Sequence, residues 1–363
     1  MNILYIATVS PPVTGQTIAS NILLDYLVLS QNVEVIDLSL ASTNDGRFTW
    51  TRAFEVLKIL YLVHNGVHKC DFVYLTISES VAGNLKDLLI YLVCRKKLDK
   101  FYIQLHGGSL KREVFDRHPL LMRLNKLALK KVAGIFISGV SHKSIFFPMI
   151  EDSKLHIVGN FAQDYLFLDE QCIRKKFLKT RPLKIVYISG MTSGKGYLFL
   201  LNAYKALSDN LRNMLEIDFA GKFDTDEEEI KFNQEIEGYS HLRYHGVVDD
   251  ESKRQLFAAA HVFCLPTNFL EGQPISILEA YASGCVVLTT GQPGILDIFS
   301  DGVNGYEISK NDHLSIKNLM EKLIEVSDNL IDIALNNSRT ATANYRTDAF
   351  SRGVSNIMLP SSD

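Results

Sequence analysis

The chain is short of several features that would announce a class at once. Its 363 residues include five cysteines, Cys70, Cys94, Cys172, Cys264 and Cys285, and no Cys-x-x-Cys pair. An odd, scattered set suggests neither a zinc site nor a disulfide framework, so reduced thiols of a cytoplasmic protein are expected. Long apolar runs are missing as well. Stretches such as Leu88–Cys94 fall far short of the ~20 residues that a membrane-spanning helix needs. The opening residues Met1–Pro12 carry no basic segment and no cleavage site, so no signal peptide is expected. Strong net charge is absent too. The 38 Lys and Arg against 41 Asp and Glu leave −3, which excludes a strongly basic nucleic-acid binder.

What is present is ordinary globular material. Hydrophobic residues make up 47% and charged residues 22%, which argues against disorder. A chain of this length reads as two domains. The near-zero charge hides an asymmetry. From Arg47 to Lys143 there are 17 basic residues against seven acidic, an excess of ten, while the remainder carries −13.

Apolar runs bounded by turn residues recur along the chain. Asn2–Val9, Val33–Leu38, Phe72–Thr76, Phe101–Leu105, Gly134–Ser138 and Leu155–Val158 are expected as strands. Several are too continuously apolar to have a wet face, which suits parallel strands covered on both sides. Helical periodicity lies between them, over Thr17–Leu29, Ala53–Val63 and Leu120–Val132. The series then restarts after a basic linker around residues 165–182. Further strands are expected at Lys184–Ser189, Leu215–Ala220, Leu242–His245, Val262–Leu265 and Val286–Thr290. Alternation of this kind predicts two doubly wound α/β domains, 1–165 and 183–345, with a closing segment 346–363 that crosses back to the first. Ligands of such sheets bind at the carboxyl ends of strands, so one cleft between two facing domains is expected.

Three loops at strand ends carry candidate chemistry. The first runs from Pro11 to Thr17. Its Gly15 and Gln16 open a helix whose N-terminus would face an anion. The second is Ser189–Gly196. It fails as a phosphate loop, having three residues between Gly190 and the Gly194-Lys195 pair and Gly196 where Ser or Thr would hold magnesium. The dinucleotide fingerprint GxGxxG is missing too. A lysine at a helix N-terminus is unfavourable unless an anion offsets it, so Lys195 is expected on a diphosphate. The third runs from Phe269 to Gly284. Here Glu271 follows a strand, Pro274 suits a first helical turn, and Glu279 lies among positions that should pack on the sheet. A carboxylate there needs a partner.

These residues resemble a family: the GT-B-fold, retaining glycosyltransferases of family 4, or group 1 glycosyltransferases. Two glutamates seven residues apart, set in EGQPISILEAYASGCVVLTT, are that family's signature. The segments IVYISGMTSGKGYLFLLNAYKAL, HGVVDDESKRQLFAAAHVFCLPT and GILDIFSDGVNGY match it as well. The segment Tyr74–Leu88 resembles bacterial surface-polysaccharide glycosyltransferases. The resemblance implies that Glu271 contacts the donor sugar near the reacting carbon and that Gly272, Gln273 and Pro274 shape its pocket. Ile275 and Ser276 would offer amides to the phosphate, and Glu279 would hold the ribose hydroxyls. Gly190 and Lys195 would meet the leaving diphosphate, with Gly15 and Gln16 approaching it from the first domain. His106, in Gln104–Gly108, matches an active-site histidine. No cofactor is expected, and no metal.

Departures from the pattern are visible. The family places arginine after the glycine of the lysine loop, and this chain has Met191. Either a residue elsewhere substitutes for that cation, or activity is reduced or lost; if the arginine is simply missing, restoring it is expected to leave folding intact and raise nucleotide affinity. The first loop has Thr14-Gly15 for a double glycine, and Gln292–Asp297 replaces a glycine pair followed by glutamate. Asp224-Thr225-Asp226 looks like a metal-binding DxD but is expected to be an acidic helix start, and Asp249-Asp250 a helix cap.

The reading is a cytoplasmic enzyme that moves a sugar, with retention, from a nucleotide diphosphate sugar to a saccharide acceptor. The acceptor would be lipid-linked, in bacterial O-antigen, capsule or lipopolysaccharide synthesis. The basic stretch Arg47–Lys143 would rest on an anionic leaflet, each basic residue near the surface being worth ~1 kcal/mol. A sugar-nucleotide epimerase of the same fold and a non-catalytic nucleotide-sugar-binding protein are the alternatives.

Overall fold

The computed structural model describes residues 1–9, 11, 14–39, 50–325 and 330–359. The chain divides into two compact units. One comprises Met1–Asn160, Leu270–Gln273 and Asp348–Asp363; the other comprises Phe161–Phe269 and Pro274–Thr347. The expected linker around 165–182 holds a helix, Glu170–Lys176, and belongs to the second unit. Its Ile173 and Phe177 join that unit's apolar core, which a solvated linker would not do.

The first unit is built on six strands, β1 (Asn2–Ala7), β2 (Asn32–Asp37), β3 (Phe72–Thr76), β4 (Phe101–Leu105), β5 (Gly134–Ile137) and β6 (Leu155–Ile157). They form one parallel sheet in the order β2-β1-β3-β4-β5-β6. Strand β3 is buried at all five positions, the pattern of a strand covered on both faces. The main connecting helices are α1 (Gly15–Val28), α2 (Trp50–Val67), α3 (Val81–Val93) and α4 (Pro119–Leu129). The closing helix Thr347–Met358 is counted with this unit from Asp348 onward, and the Tyr102 hydroxyl donates to the Ile357 carbonyl at 3.3 Å.

The second unit repeats the plan with β7 (Leu183–Ile188), β8 (Leu215–Ala220), β9 (Leu242–Tyr244), β10 (Val262–Leu265), β11 (Val286–Thr290) and β12 (Gly305–Ile308). The order is β12-β11-β10-β7-β8-β9, again parallel. Winding reverses between β1 and β3 in one sheet and between β7 and β10 in the other. At such a reversal the loops leaving the carboxyl ends part and leave room for a ligand.

Candidate active site

In the second unit the loops leaving β7 and β10, with the helix that follows β10, hold half of the candidates. The β7 loop first turns inward. The Met191 amide donates to the Lys222 carbonyl at 2.8 Å, Met191 pairs with Phe223 as a short parallel bridge, and its side chain is wholly buried in the core. This corrects the expectation for Met191: an arginine at that position would carry its charge into an apolar core, so it would not leave folding intact. The Tyr187 hydroxyl donates to the Gly190 carbonyl at 3.0 Å.

A tight turn, Ser193–Lys195, follows and ends at Gly196, whose φ is +85°. A β-carbon at Gly196 would stand 2.1 Å from the Pro266 carbonyl oxygen, so the position takes only glycine. The two loops are tied by the Asn268 amide, which donates to the Gly194 carbonyl at 2.8 Å. Lys195 ends the turn with its Nζ 5.6 Å from the centre of the Phe269 ring.

Pro274 stands just before the helix Ile275–Ala282, at its cap rather than in its first turn. Like any helix start, this one leaves its first amides, those of Ile275 and Ser276, without intrahelical acceptors. Glu279 sits one turn further on and is 2% exposed. Its partner is Lys253, whose Nζ lies 2.5 Å from Oε1 and 3.0 Å from Gln163 Oε1. The Tyr165 hydroxyl continues the chain, 3.0 Å from Gln163 Oε1 and 2.8 Å from Asp250 Oδ1. Burial first, then Asp250 and the charge of Glu279, hold the Tyr165 hydroxyl protonated far above its ordinary pKa. Sequence reasoning missed Lys253. Nothing local marks a lysine 26 positions away as the partner of Glu279.

The two decoys are helix starts. The Thr225 side chain caps Asp226–Ile236 by accepting from the Glu228 amide at 3.2 Å, and Asp249 caps Asp250–Ala259 by accepting from the Ser252 amide at 2.8 Å.

In the first unit, Thr14 and Thr17 close a reciprocal cap on α1. The Thr17 amide donates to Thr14 Oγ1 at 3.2 Å and the Thr14 amide to Thr17 Oγ1 at 2.6 Å. Gly15 and Gln16 form the first turn. Pro12 and Val13 of that loop lie outside the described residues. At the carboxyl end of β4, His106 is partly buried and its Nε2 wholly so, with no hydrogen-bond partner. Burial pushes its pKa down to about 4, so the ring is neutral near pH 7.

The segment Leu270–Gln273 belongs to this unit and lies against the His106 loop. A β-carbon on Gly272 would stand 1.9 Å from the His106 carbonyl oxygen, and one on Gly108 2.8 Å from that of Glu271. Gln273 is buried: its Oε1 accepts from the Asn160 amide and its carbonyl from Asn160 Nδ2 at 2.7 Å. His106, Glu271, Gly272 and Gln273 are therefore brought together here. Gly190, Lys195, Pro274, Ile275, Ser276 and Glu279 belong to the second unit.

Glu79 is a further residue that sequence reasoning missed. It follows β3 and accepts from both the amide and the hydroxyl of Ser109, the latter at 2.6 Å. It lines a cavity of about 480 Å³ with Ser80, Ser109, Glu113, Arg117 and His118. The available signal was Ser78-Glu79-Ser80, polar residues directly after a strand.

Residues 169–340 match the family model for glycosyl transferases group 1. No curated protein matches the chain. Among solved structures, HepE of Anabaena in complex with UDP-glucose is 14% identical, with 98% of each chain covered and a TM-score of 0.74. Sucrose-phosphate synthase of Thermosynechococcus elongatus is 12% identical over 97% of each chain, with a TM-score of 0.73. WaaG, a glycosyltransferase involved in lipopolysaccharide biosynthesis, is 15% identical over 99% of this chain and 100% of its own, with a TM-score of 0.72. These likenesses give the fold: two parallel, doubly wound α/β units of the GT-B type.

Proposed function

We propose that the protein transfers a sugar from a nucleotide diphosphate sugar to a saccharide acceptor, retaining the anomeric configuration. The match of residues 169–340 to group 1 glycosyltransferases carries this reading. It is supported by a lysine, a helix start and a buried carboxylate on the loops and helix that follow β7 and β10. Two of the similar structures are complexes with UDP and with UDP-glucose.

In this reading Glu279 accepts from the ribose hydroxyls, while Lys195 and the amides of Ile275 and Ser276 meet the diphosphate. The bond from the sugar's anomeric carbon to the phosphate oxygen breaks. The acceptor oxygen bonds to that carbon on the same face, and its proton passes to the leaving phosphate. Charge grows on the phosphate as the bond breaks, so Lys195 and the helix start act most strongly in the transition state. No metal is required. Glu271 and the neutral His106 serve the donor sugar, and the 480 Å³ cavity lined by Glu79 and Ser109 takes the acceptor.

The acceptor is inferred to be lipid-linked, in bacterial surface-polysaccharide synthesis, with the protein peripheral on the inner face of the plasma membrane. The excess of ten basic residues between Arg47 and Lys143 supports this.

A thermal-shift screen of UDP-, GDP-, ADP- and TDP-sugars, followed by product analysis with and without acceptor, tests the reading. Acceptor-dependent release of nucleoside diphosphate with an unchanged anomeric centre is expected. Interconversion of the donor without acceptor would assign an epimerase, and tight binding without turnover a binding protein.

A further inference from the structure

Helices α2, α3 and α4 connect β2 to β3, β3 to β4 and β4 to β5. In a sheet ordered β2-β1-β3-β4-β5 these crossovers all move the same way, and right-handed crossovers place them side by side on one face. Asn84 and Asn125 exchange side-chain hydrogen bonds of 3.1 and 2.8 Å and join α3 to α4. Each helix turns apolar residues inward, such as Ile59 and Val63 of α2 and Ile90 of α3.

Each also carries a second apolar stripe that faces solvent. On α2 it is Phe54, Leu57 and Tyr61, between 62% and 78% exposed. On α3 it is Leu85, Leu89 and Leu92. On α4 it is Leu120, Leu124 and Leu127. All are exposed large hydrophobics at helical spacing. Scattered exposed leucines are normal, but nine such residues on three adjoining helices are not.

The centre of this face is the most apolar part. Every exposed residue of α3 is apolar: Ala82, Leu85, Leu89 and Leu92. Its two charges, Lys86 and Asp87, are buried and lie 3.5 Å from each other. The rim is cationic. Lys58, Arg95, Lys96, Arg123 and Lys130 are exposed on these helices or within a few residues of their ends, against the exposed carboxylates Asp71, Asp99 and Asp116.

We propose that the α2–α3–α4 face docks on an anionic lipid bilayer by inserting its leucines into the headgroup–acyl boundary, not by charge alone. This deepens the reading of a lipid-borne acceptor and rests on it. Among the described residues no helix is long and apolar enough to cross a membrane, so the helices lie on the surface. A second copy of the chain is the competing occupant. A two-fold dimer through this face would set the cationic rim against itself, which an anionic leaflet would not do.

The test is co-sedimentation of the full chain with vesicles of phosphatidylglycerol and phosphatidylcholine, at low salt and at 1 M salt, where the screening length shrinks to about 3 Å. Part of the binding to mixed vesicles is expected to survive high salt. Leu85→Ser, Leu89→Ser and Leu92→Ser together should lower that salt-resistant partition on the order of a hundredfold. Lys96→Ser with Arg123→Ser should weaken low-salt binding only. Donor-induced thermal shift, unchanged in each variant, verifies the fold. Complete release by salt would overturn insertion while leaving the charge-driven membrane reading standing. No binding to either vesicle would overturn both. A leucine variant that loses a dimer in solution but keeps vesicle binding would assign the face to a second copy.

Discussion

Two neutral histidines, His106 and His261, stand at opposite ends of the two sheets, and their surroundings differ. His261 precedes β10, at the amino end of the second sheet. Its Nδ1 accepts from the Lys184 amide at 3.0 Å and its Nε2 lies 3.1 Å from the Lys176 carbonyl, so both nitrogens are used by backbone. His106 follows β4, at the carboxyl end of the first sheet, and its buried Nε2 has no partner. Burial takes both pKa values down to about 4. The same shift therefore accompanies two different situations: a fully satisfied ring that ties strands together, and a ring with a nitrogen left over. The unsatisfied one stands at the strand end where parallel sheets bind ligands.

Exchanging each ring for glutamine sharpens this contrast most. His106→Gln is expected to cost 10²–10⁴ in turnover, the range for a positioned polar group in the reaction. Its unfolding free energy should barely move, because no protein hydrogen bond to Nε2 is lost. His261→Gln should do the reverse: stability falls by ~1–3 kcal/mol, with turnover kept. A His106→Gln enzyme that keeps its rate would make both histidines architectural. Acid behaviour follows the same logic. The unfolded chain binds these protons near pH 6.5 and the folded chain near 4, so stability is fully present above pH 6.5 and falls as pH drops toward 4. Denaturation midpoints of His261→Gln should show a shallower decline over that window.

Met191 warns against equating the carboxyl end with function. It lies in the β7 loop, yet it is as buried as the strand before it. Met191→Arg should lower stability by at least ~3 kcal/mol, the cost of an uncompensated buried charge. Urea unfolding measures this. An unchanged midpoint would mean that the loop turns outward with arginine and that position 191 belongs to the ligand side.

The next effect separates Glu279 from its support. Glu279→Ala should weaken nucleoside diphosphate binding by ~1.5–3 kcal/mol through loss of a charged hydrogen bond. The loss should vanish with the 2′,3′-dideoxy nucleotide. Lys253→Met leaves the Glu279 carboxylate buried without its ammonium and should weaken the same ribose-dependent increment, where Lys253→Arg retains most of it. Equal losses with ribo- and dideoxy-nucleotides would place Glu279 away from the ribose.

Much of the fold is legible in the residues. Strands β3, β4, β8, β10 and β11 begin and end where their apolar runs do. Helix α3 was missed for a physical reason: its exposed positions are apolar while Asn84, Lys86 and Asp87 are buried, the reverse of the pattern by which a surface helix is read. Strand β12 was missed because Gly305–Ile308 is short and follows the turn residues Asp301–Asn304. At the site, Lys195, Glu279 and His106 could be picked out by residue type at a strand end. Lys253, Asn160 and Glu79 could not. Their roles depend on chain segments that only the folded sheet brings together.

The smallest expected effect concerns how Lys195 is aimed. Its Nζ stands over the Phe269 ring, and a β-carbon on Gly194 would come within 2.5 Å of that ring. Phe269 is 43% exposed, so removing the ring costs little core packing. An exposed cation–π contact is worth ~0.5–1 kcal/mol. Phe269→Leu should therefore weaken nucleoside diphosphate binding two- to fivefold, taking that contact at RT of about 0.6 kcal/mol, with thermal stability unchanged. Gly194→Ala should act through the same ring, by pushing it off the lysine. If the ring is what aims Lys195, Gly194→Ala has no further effect in a Phe269→Leu background, and titration calorimetry of the two single variants and the double resolves this. Additive losses would mean that Gly194 and Phe269 act on the nucleotide separately, and that the lysine is held by the turn Ser193–Lys195 alone.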